Sequence, residues 1–103
     1  MADASFLDFV LEQLAGAKPL KTRAMFGGHG LYLGASFFGI VHKGSLYMRT
    51  DEATRPAYLA KGSRPFNPKG RQELHRYYEV PSEVLEDADE LLVWARAAAK
   101  TQG

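Results

Sequence analysis

Aromatic and basic side chains alternate along two predicted strands, a pattern that suits an anionic ligand. Tyr47 and Arg49 are two residues apart and therefore share one face of their strand. The same spacing recurs in Arg76 and Tyr78. Sheet surfaces bind nucleic acid by stacking bases on rings and pairing phosphates with cations. No recognition-helix, RNP-type or zinc-finger signature accompanies the pattern. The candidate contacts to nucleic acid or another anionic partner are Arg23, Arg49, Arg71 and Arg76.

The glycine-rich stretch Gly27-Gly28-His29-Gly30 invites comparison with a phosphate-binding loop. A P-loop continues with Lys and Ser or Thr and then opens a long helix, whereas a strand-like apolar segment follows here. Glycines within a strand pattern indicate a bulge or a kink. We therefore predict one long bent strand over 21–33 and no nucleotide site.

The remaining chemically capable residues fit structural roles better than catalysis. The histidines lie far apart, without a two-ligand spacing: His29, His42 and His75. The serines have no nucleophile motif around them. The paired carboxylates Asp51-Glu52 and Asp87/Asp89/Glu90 begin predicted helices, where they meet the positive end of the helix dipole. We expect no enzymatic activity, no metal and no cofactor, with an uncharacterised enzyme kept as the third alternative.

Charge is distributed unevenly along the 103 residues although the formal net charge is only +1. Residues 18–76 contain eleven basic and three acidic residues, and the remaining nine acids all lie in the flanks with two bases. Such asymmetry favours an anionic partner, or acidic helices that balance a basic sheet. The absence of cysteine, of a signal segment and of long apolar runs predicts a cytoplasmic protein that does not enter a membrane.

Hydrophobic periodicity predicts three helices and five strands in one domain over 1–103. The predicted helices are Ser5–Ala15, Asp51–Lys61 and one that starts after Asp87, where Glu90 completes a capping box. The predicted strands are 21–33, 36–42, 45–50, 64–67 and 71–80. The order α-β-β-β-α-β-β-α with short turns gives an α+β two-layer sandwich, in which helices lie on an antiparallel sheet.

The second predicted strand is apolar on both faces. Strict alternation places Phe37 and Val41 on one face and the pair Phe38 and Ile40 on the other. A sheet with helices on one side normally has a polar opposite side. The predicted interface for a protein partner or a homodimer is therefore formed by Phe38 and Ile40.

One segment is specific enough to compare with a known family. Residues 23–32 match the pattern R-x-M-F-G-G-x-G-L-Y, through Arg23, Met25, Phe26, Gly27, Gly28 and Gly30. Further matching segments follow in order: Leu46-Tyr47-Met48-Arg49, Asp51–Pro56, Gly62–Phe66, Tyr77–Pro81, Val84–Asp87 and Trp94-Ala95. Together they resemble the N-terminal domain of the TfoX/Sxy family of bacterial competence regulators over almost the whole chain.

The resemblance implies a secretion-chaperone-like fold, α-β3-α-β2-α, and a role in transcription regulation. Members of the family include regulators of natural competence that act with a cyclic-AMP receptor transcription activator. Full regulators carry a second, C-terminal domain related to helix-hairpin-helix modules, so this chain resembles a stand-alone single-domain relative. The resemblance implies no catalytic residues. The leading hypothesis is a non-enzymatic, transcription-associated interaction domain that binds protein through its sheet, and the alternative is direct nucleic-acid binding through a basic, aromatic sheet face.

Overall fold

A five-stranded antiparallel meander forms the centre of the computed structural model, which describes residues 2–25, 27–67 and 76–101. Each strand pairs with the next along the chain, in the order β1-β2-β3-β4-β5. The helices are α1 (Ala2–Gln13), α2 (Arg55–Ala60), α3 (Ser82–Leu85) and α4 (Ala88–Ala99). The strands are β1 (Leu20–Met25), β2 (Gly28–Leu33), β3 (Ser36–His42), β4 (Ser45–Arg49) and β5 (Tyr77–Glu79). The predicted α+β class and antiparallel sheet are confirmed.

The glycine-rich stretch reverses the chain instead of bending one strand. Strands β1 and β2 pair antiparallel, with Met25 opposite Gly28. Gly27 has a φ of 75°, a conformation that residues with a Cβ rarely adopt and that a tight reversal requires. The single strand predicted over 21–33 is therefore a hairpin, and four strands precede α2.

The second predicted hairpin is present in a shorter form. Pro65 bridges to Tyr78, the Phe66 amide donates to the Tyr77 carbonyl at 2.6 Å, and the Glu79 amide donates to the Arg64 carbonyl at 2.9 Å. Residues 64–66 thus lie alongside β5 at the edge of the sheet. They make one isolated bridge to β5 rather than a continuous ladder. Residues 68–75, where the strand predicted over 71–80 begins, lie outside the described residues. Pro81 follows β5 after one residue and is the N-cap residue of the short helix α3.

All four helices contribute to a core on one face of the sheet. Buried side chains of this core include Val10 from α1, Tyr58 from α2, Val84 from α3 and Leu91 from α4, packed against Leu31 and its strand neighbours. On α4, Leu91, Ala95 and Ala98 are buried, whereas Ala88 is exposed. Helix α1 begins at Ala2 rather than Ser5. No helix in the described parts of the chain is long and apolar enough to cross a bilayer.

A bulge in β3 changes which side chains share a face. The pairing passes from Leu31↔Gly39 to Tyr32↔Phe37, so Phe38 is the extra residue. Phe38 consequently belongs to the helix-side core with Val41, while Ile40 belongs to a second cluster on the opposite face. The prediction that Phe38 and Ile40 share one surface is wrong. Both side chains are 0% exposed, which removes the basis for an interface through this pair.

Candidate functional site

An apolar pocket of about 200 Å³ lies between α2 and α4. Its lining residues come mainly from these two helices: Arg49, Thr54, Ala57, Tyr58, Val93, Trp94, Ala97 and Ala98. Val93 lines the pocket and is 65% exposed. The pocket therefore presents accessible apolar surface rather than a sealed cavity.

The pocket exists because small residues face each other across a fixed aromatic wall. Tyr58 of α2 meets Trp94 of α4 edge to face, with ring centroids 4.7 Å apart. Ala57 and Ala97 line the pocket with only a methyl group each, so the space beside the rings stays unfilled. Trp94 thus packs against α2 and is partly buried at the border of the helix-side core.

The N-terminal side of α2 is held by a turn rather than by a longer helix. The side chain of Asp51 accepts from the amides of Ala53 and Thr54 at 3.0 and 2.9 Å. The Asp51 amide in turn donates to the Thr54 hydroxyl at 3.0 Å. These bonds give residues 51–54 a turn geometry, and α2 begins at Arg55 rather than at the predicted Asp51.

The pocket has little capacity for acid–base chemistry. Arg49 is its one charged lining residue, and its guanidinium is already engaged: Nε donates to the Thr101 hydroxyl at 2.6 Å and Nη2 donates to the Ser36 hydroxyl at 3.2 Å. Burial raises the pKa of the Tyr58 phenol, so that group stays neutral at ordinary pH. The lining offers apolar contact and no pair of groups poised for proton transfer.

The sheet face opposite the helices, called the outer face below, carries a row of aromatic rings. Tyr32 stacks on Phe37 with centroids 5.1 Å apart, and Phe37 contacts Tyr77 at 5.4 Å. Phe66 lies over the other half of this face, 4.6 Å from Tyr47. The second apolar surface predicted from β3 thus exists, and side chains of the same chain cover part of it.

Charged side chains of both signs lie near the outer face, and the cations outnumber the acids among the described residues. Lys21, Arg23 and Arg76 are exposed. Burial raises the pKa of the Tyr77 phenol, and the neighbouring Arg49 and Arg76 guanidinium groups act in the opposite direction. The acid on this face, Glu79, accepts from the Ser45 hydroxyl at 3.1 Å. Cations and rings are therefore neighbours at one end of the sheet.

Of the four arginines predicted as contact residues, the structure describes three. Arg23 and Arg76 are exposed, Arg49 connects the sheet to the end of α4, and Arg71 lies outside the described residues. The three described arginines therefore do not share one environment. Sequence reasoning missed the Tyr32–Phe37 stack and the α2–α4 pocket. The small residues Ala95, Ala97, Ala98 and Ala99 of α4 were a signal for space beside this helix, but no local pattern identifies α2 as the opposite wall.

The glycines of the 23–32 segment have steric explanations. A Cβ on Gly28 would collide with the carbonyl oxygen of Val41 on β3. A Cβ on Gly30 would lie 2.8 Å from the Met25 sulfur and 3.0 Å from a Phe37 ring carbon. Met25 can therefore lie across Gly30 against the aromatic row. Arg23 extends from the edge strand β1, and Phe26 lies outside the described residues.

The two described histidines do not converge on a metal site. His42 packs edge to face on Phe66 at 5.2 Å, while His29 is paired with Val41 in the ladder. His75 lies outside the described residues. Within the described ranges, no group of three or more metal-binding side chains is present.

These features define an α+β domain with helices on one face of a five-stranded meander and an apolar pocket within the helix layer. A model of the family described as the TfoX N-terminal domain matches residues 12–102. The chain therefore belongs to the TfoX N-terminal domain family, as the 23–32 segment indicates. A search of curated proteins found no match.

Proposed function

We propose that this chain is a non-catalytic protein-binding domain and that the α2–α4 pocket receives one large apolar side chain of its partner. The observation that carries the proposal is the pocket, which has a volume of about 200 Å³ and an exposed Val93 beside it. That volume suits one bulky aliphatic or aromatic anchor. Anchors of this kind, inserted in preformed apolar pockets, commonly supply most of the affinity of a protein interface.

Charge around the pocket supports a particular kind of partner segment. Asp89 and Glu90 are exposed on α4 about one turn before Val93. A partner with Lys or Arg beside its apolar anchor would gain a favourable encounter with these acids. The proposed ligand is therefore a segment with one large apolar residue flanked by basic residues.

The proposal that the domain is not an enzyme rests on the chemistry of the pocket. General acid–base catalysis needs a group that titrates near the working pH, held within reach of a substrate. The ionisable lining groups are the Arg49 guanidinium, which donates to the Thr101 and Ser36 hydroxyls, and the Tyr58 phenol, whose pKa burial raises. Neither group suits proton transfer near neutral pH.

Selection of peptides from a displayed random library on the folded domain tests the proposal. We expect the selected sequences to share one large apolar residue next to basic residues. Ala97→Phe places a ring in the pocket and should weaken these peptides by about tenfold or more. The matched control is Ala88→Phe, which adds the same side chain at an exposed α4 position outside the lining.

Two outcomes of the selection would count against the pocket. Equal affinity of the peptides for the native domain and Ala97→Phe would place their site elsewhere. Enrichment of sequences without an apolar residue would remove the anchor from the proposal. Light scattering on the same samples detects a second copy of the chain as the occupant, because Ala97→Phe would then convert a dimer to a monomer.

We extend the proposal to transcription regulation, as the resemblance to competence regulators implies. The partner is then a cyclic-AMP receptor type activator, and the setting is the bacterial cytoplasm. Co-elution of this domain with the purified activator is the expected result, and Ala97→Phe should abolish it while Ala88→Phe should not. Absence of co-elution with the native domain would remove the competence role and leave the general binding proposal to the peptide selection.

A further inference from the structure

The outer face has features of a second binding site, independent of the pocket. We propose that single-stranded nucleic acid lies across β1 to β3, with its phosphates on Lys21 and Arg23 and its bases stacked on Tyr32 and Phe37. The proposal uses a different layer of the domain from the protein-binding pocket. Either site can therefore fail experimentally without affecting the other.

The two layers of the domain carry opposite charge. The helices contain six acids and two bases: Asp3, Asp8, Glu12, Glu83, Asp89 and Glu90 against Arg55 and Arg96. The strands contain three bases and one acid: Lys21, Arg23 and Arg49 against Glu79. An anionic polymer is therefore attracted to the sheet side and repelled from the helix side.

The cations and the rings have a regular arrangement on the first strands. In the β1–β2 ladder, Lys21 is opposite Tyr32 and Arg23 is opposite Gly30. Lys21 and Arg23 are about 7 Å apart along the strand, a spacing comparable with that of successive phosphates in an extended nucleic-acid strand. Because β1 is the edge strand, both cations border the face and the rings lie further in.

The rings form a platform suited to stacking. Tyr32 and Phe37 are stacked at 5.1 Å and both are partly exposed. Gly30 has no side chain, so Met25 lies across it toward Phe37 and extends the apolar surface. Bases directed inward from the β1 edge would meet this platform. Stacking on sheet aromatics with cations along the backbone is how many single-strand-binding surfaces work.

An acidic peptide is the main competing ligand for the same cations. A peptide of acidic residues satisfies Lys21 and Arg23 but has no aromatic rings to stack on Tyr32 and Phe37. The stacked rings beside the cations therefore favour nucleic acid. The contribution of Tyr32 separates the two ligands experimentally.

Fluorescence anisotropy with labelled twelve-nucleotide oligo-dT and oligo-rU tests the proposal, with a polyglutamate peptide of the same length as the second ligand. At about 50 mM salt we expect both oligonucleotides to bind and the peptide to bind more weakly. Tyr32→Ala should lower oligonucleotide affinity by roughly tenfold, and Tyr32→Phe should retain it. Lys21→Ala and Arg23→Ala should each reduce the slope of log affinity against log salt by about 0.7.

Two control variants test whether the oligonucleotides bind at the outer face. Lys100→Ala removes the same charge from the exposed residue after α4 and should leave the salt slope nearly unchanged. Ala97→Phe, which blocks the pocket, should leave oligonucleotide affinity unchanged. The proposal is overturned if neither oligonucleotide binds, if polyglutamate binds equally well, or if Tyr32→Ala folds normally by circular dichroism and binds like the native chain.

Discussion

Gly28 and Gly30 are two residues apart in the 23–32 segment, yet their substitution should have different consequences. At Gly28 an added methyl group meets the backbone of β3, which cannot move without disturbing the ladder. At Gly30 the nearest atoms are the ends of the Met25 side chain and the edge of the Phe37 ring, which can rotate away. The requirement for glycine is therefore stronger at the first position.

We predict that Gly28→Ala lowers the free energy of unfolding by more than about 2 kcal/mol and Gly30→Ala by about 1 kcal/mol. Urea unfolding monitored by Trp94 fluorescence measures both. Equal losses in the free energy of unfolding, or a larger loss for Gly30→Ala, would contradict this explanation. They would show that the close approach of Gly28 to Val41 is not the reason for glycine at position 28.

Tyr58 should make the stability of the domain sensitive to alkaline pH. Burial raises its pKa above the ordinary value of 10.0, so the unfolded state loses this proton first as pH rises. The stability that the neutral phenol provides is fully present below pH 10.0 and declines above it. For Tyr58→Phe we predict that the free energy of unfolding declines less steeply with pH between about pH 9 and 11. The slope should differ from that of the native chain by about 1 kcal/mol per pH unit, as measured by urea unfolding. An unchanged slope would exclude Tyr58 as the group responsible.

At the level of elements, the sequence was most informative where a local pattern determines structure. The start of α4 was predicted because a capping side chain acts within a few residues, and Asp87 indeed accepts from the Glu90 amide at 3.1 Å. The bulge at Phe38 could not be predicted, because an extra residue is defined only by the register of the neighbouring strand. The α2–α4 pocket likewise depends on which helices meet.

The cap at Asp87 permits a quantitative test. Asp87→Ala removes the acceptor for the Glu90 amide and should cost about 1 kcal/mol of the free energy of unfolding. Asp87→Asn should retain most of the stability, because an amide oxygen can accept the same bond. A loss of equal size in both variants would point to the charge at the helix end rather than to the cap.

Arg49 connects β4 to the end of α4. Its bonds to the Thr101 and Ser36 hydroxyls join a network in which Ser36 donates to the Ala99 carbonyl at 2.8 Å. For Arg49→Ala we predict a loss of about 1–3 kcal/mol in the free energy of unfolding. Arg23→Ala, at an exposed position on the edge strand, is the control and should change stability by less than about 0.5 kcal/mol. Similar losses for the two variants would mean that the network contributes little.

Over the whole molecule, the uneven charge along the sequence corresponds to the two layers of the fold. The basic middle of the chain forms the strands and their connections, and the acidic flanks form most of the helix layer. Composition and periodicity were sufficient to predict this division. They were insufficient to locate Tyr32 beside Phe37 or Tyr58 beside Trp94, because each pair depends on long-range packing. The two proposed binding sites thus lie on separate faces of the domain.

The most direct test of the central claim is to add a selected apolar-anchor peptide to the isotope-labelled domain and to map which amide chemical shifts change. We predict that the largest changes occur at the pocket residues Ala57, Tyr58, Val93 and Ala97, and that they disappear in Ala97→Phe. Changes confined to the outer face, with none in α2 or α4, would contradict a protein-binding role for the pocket.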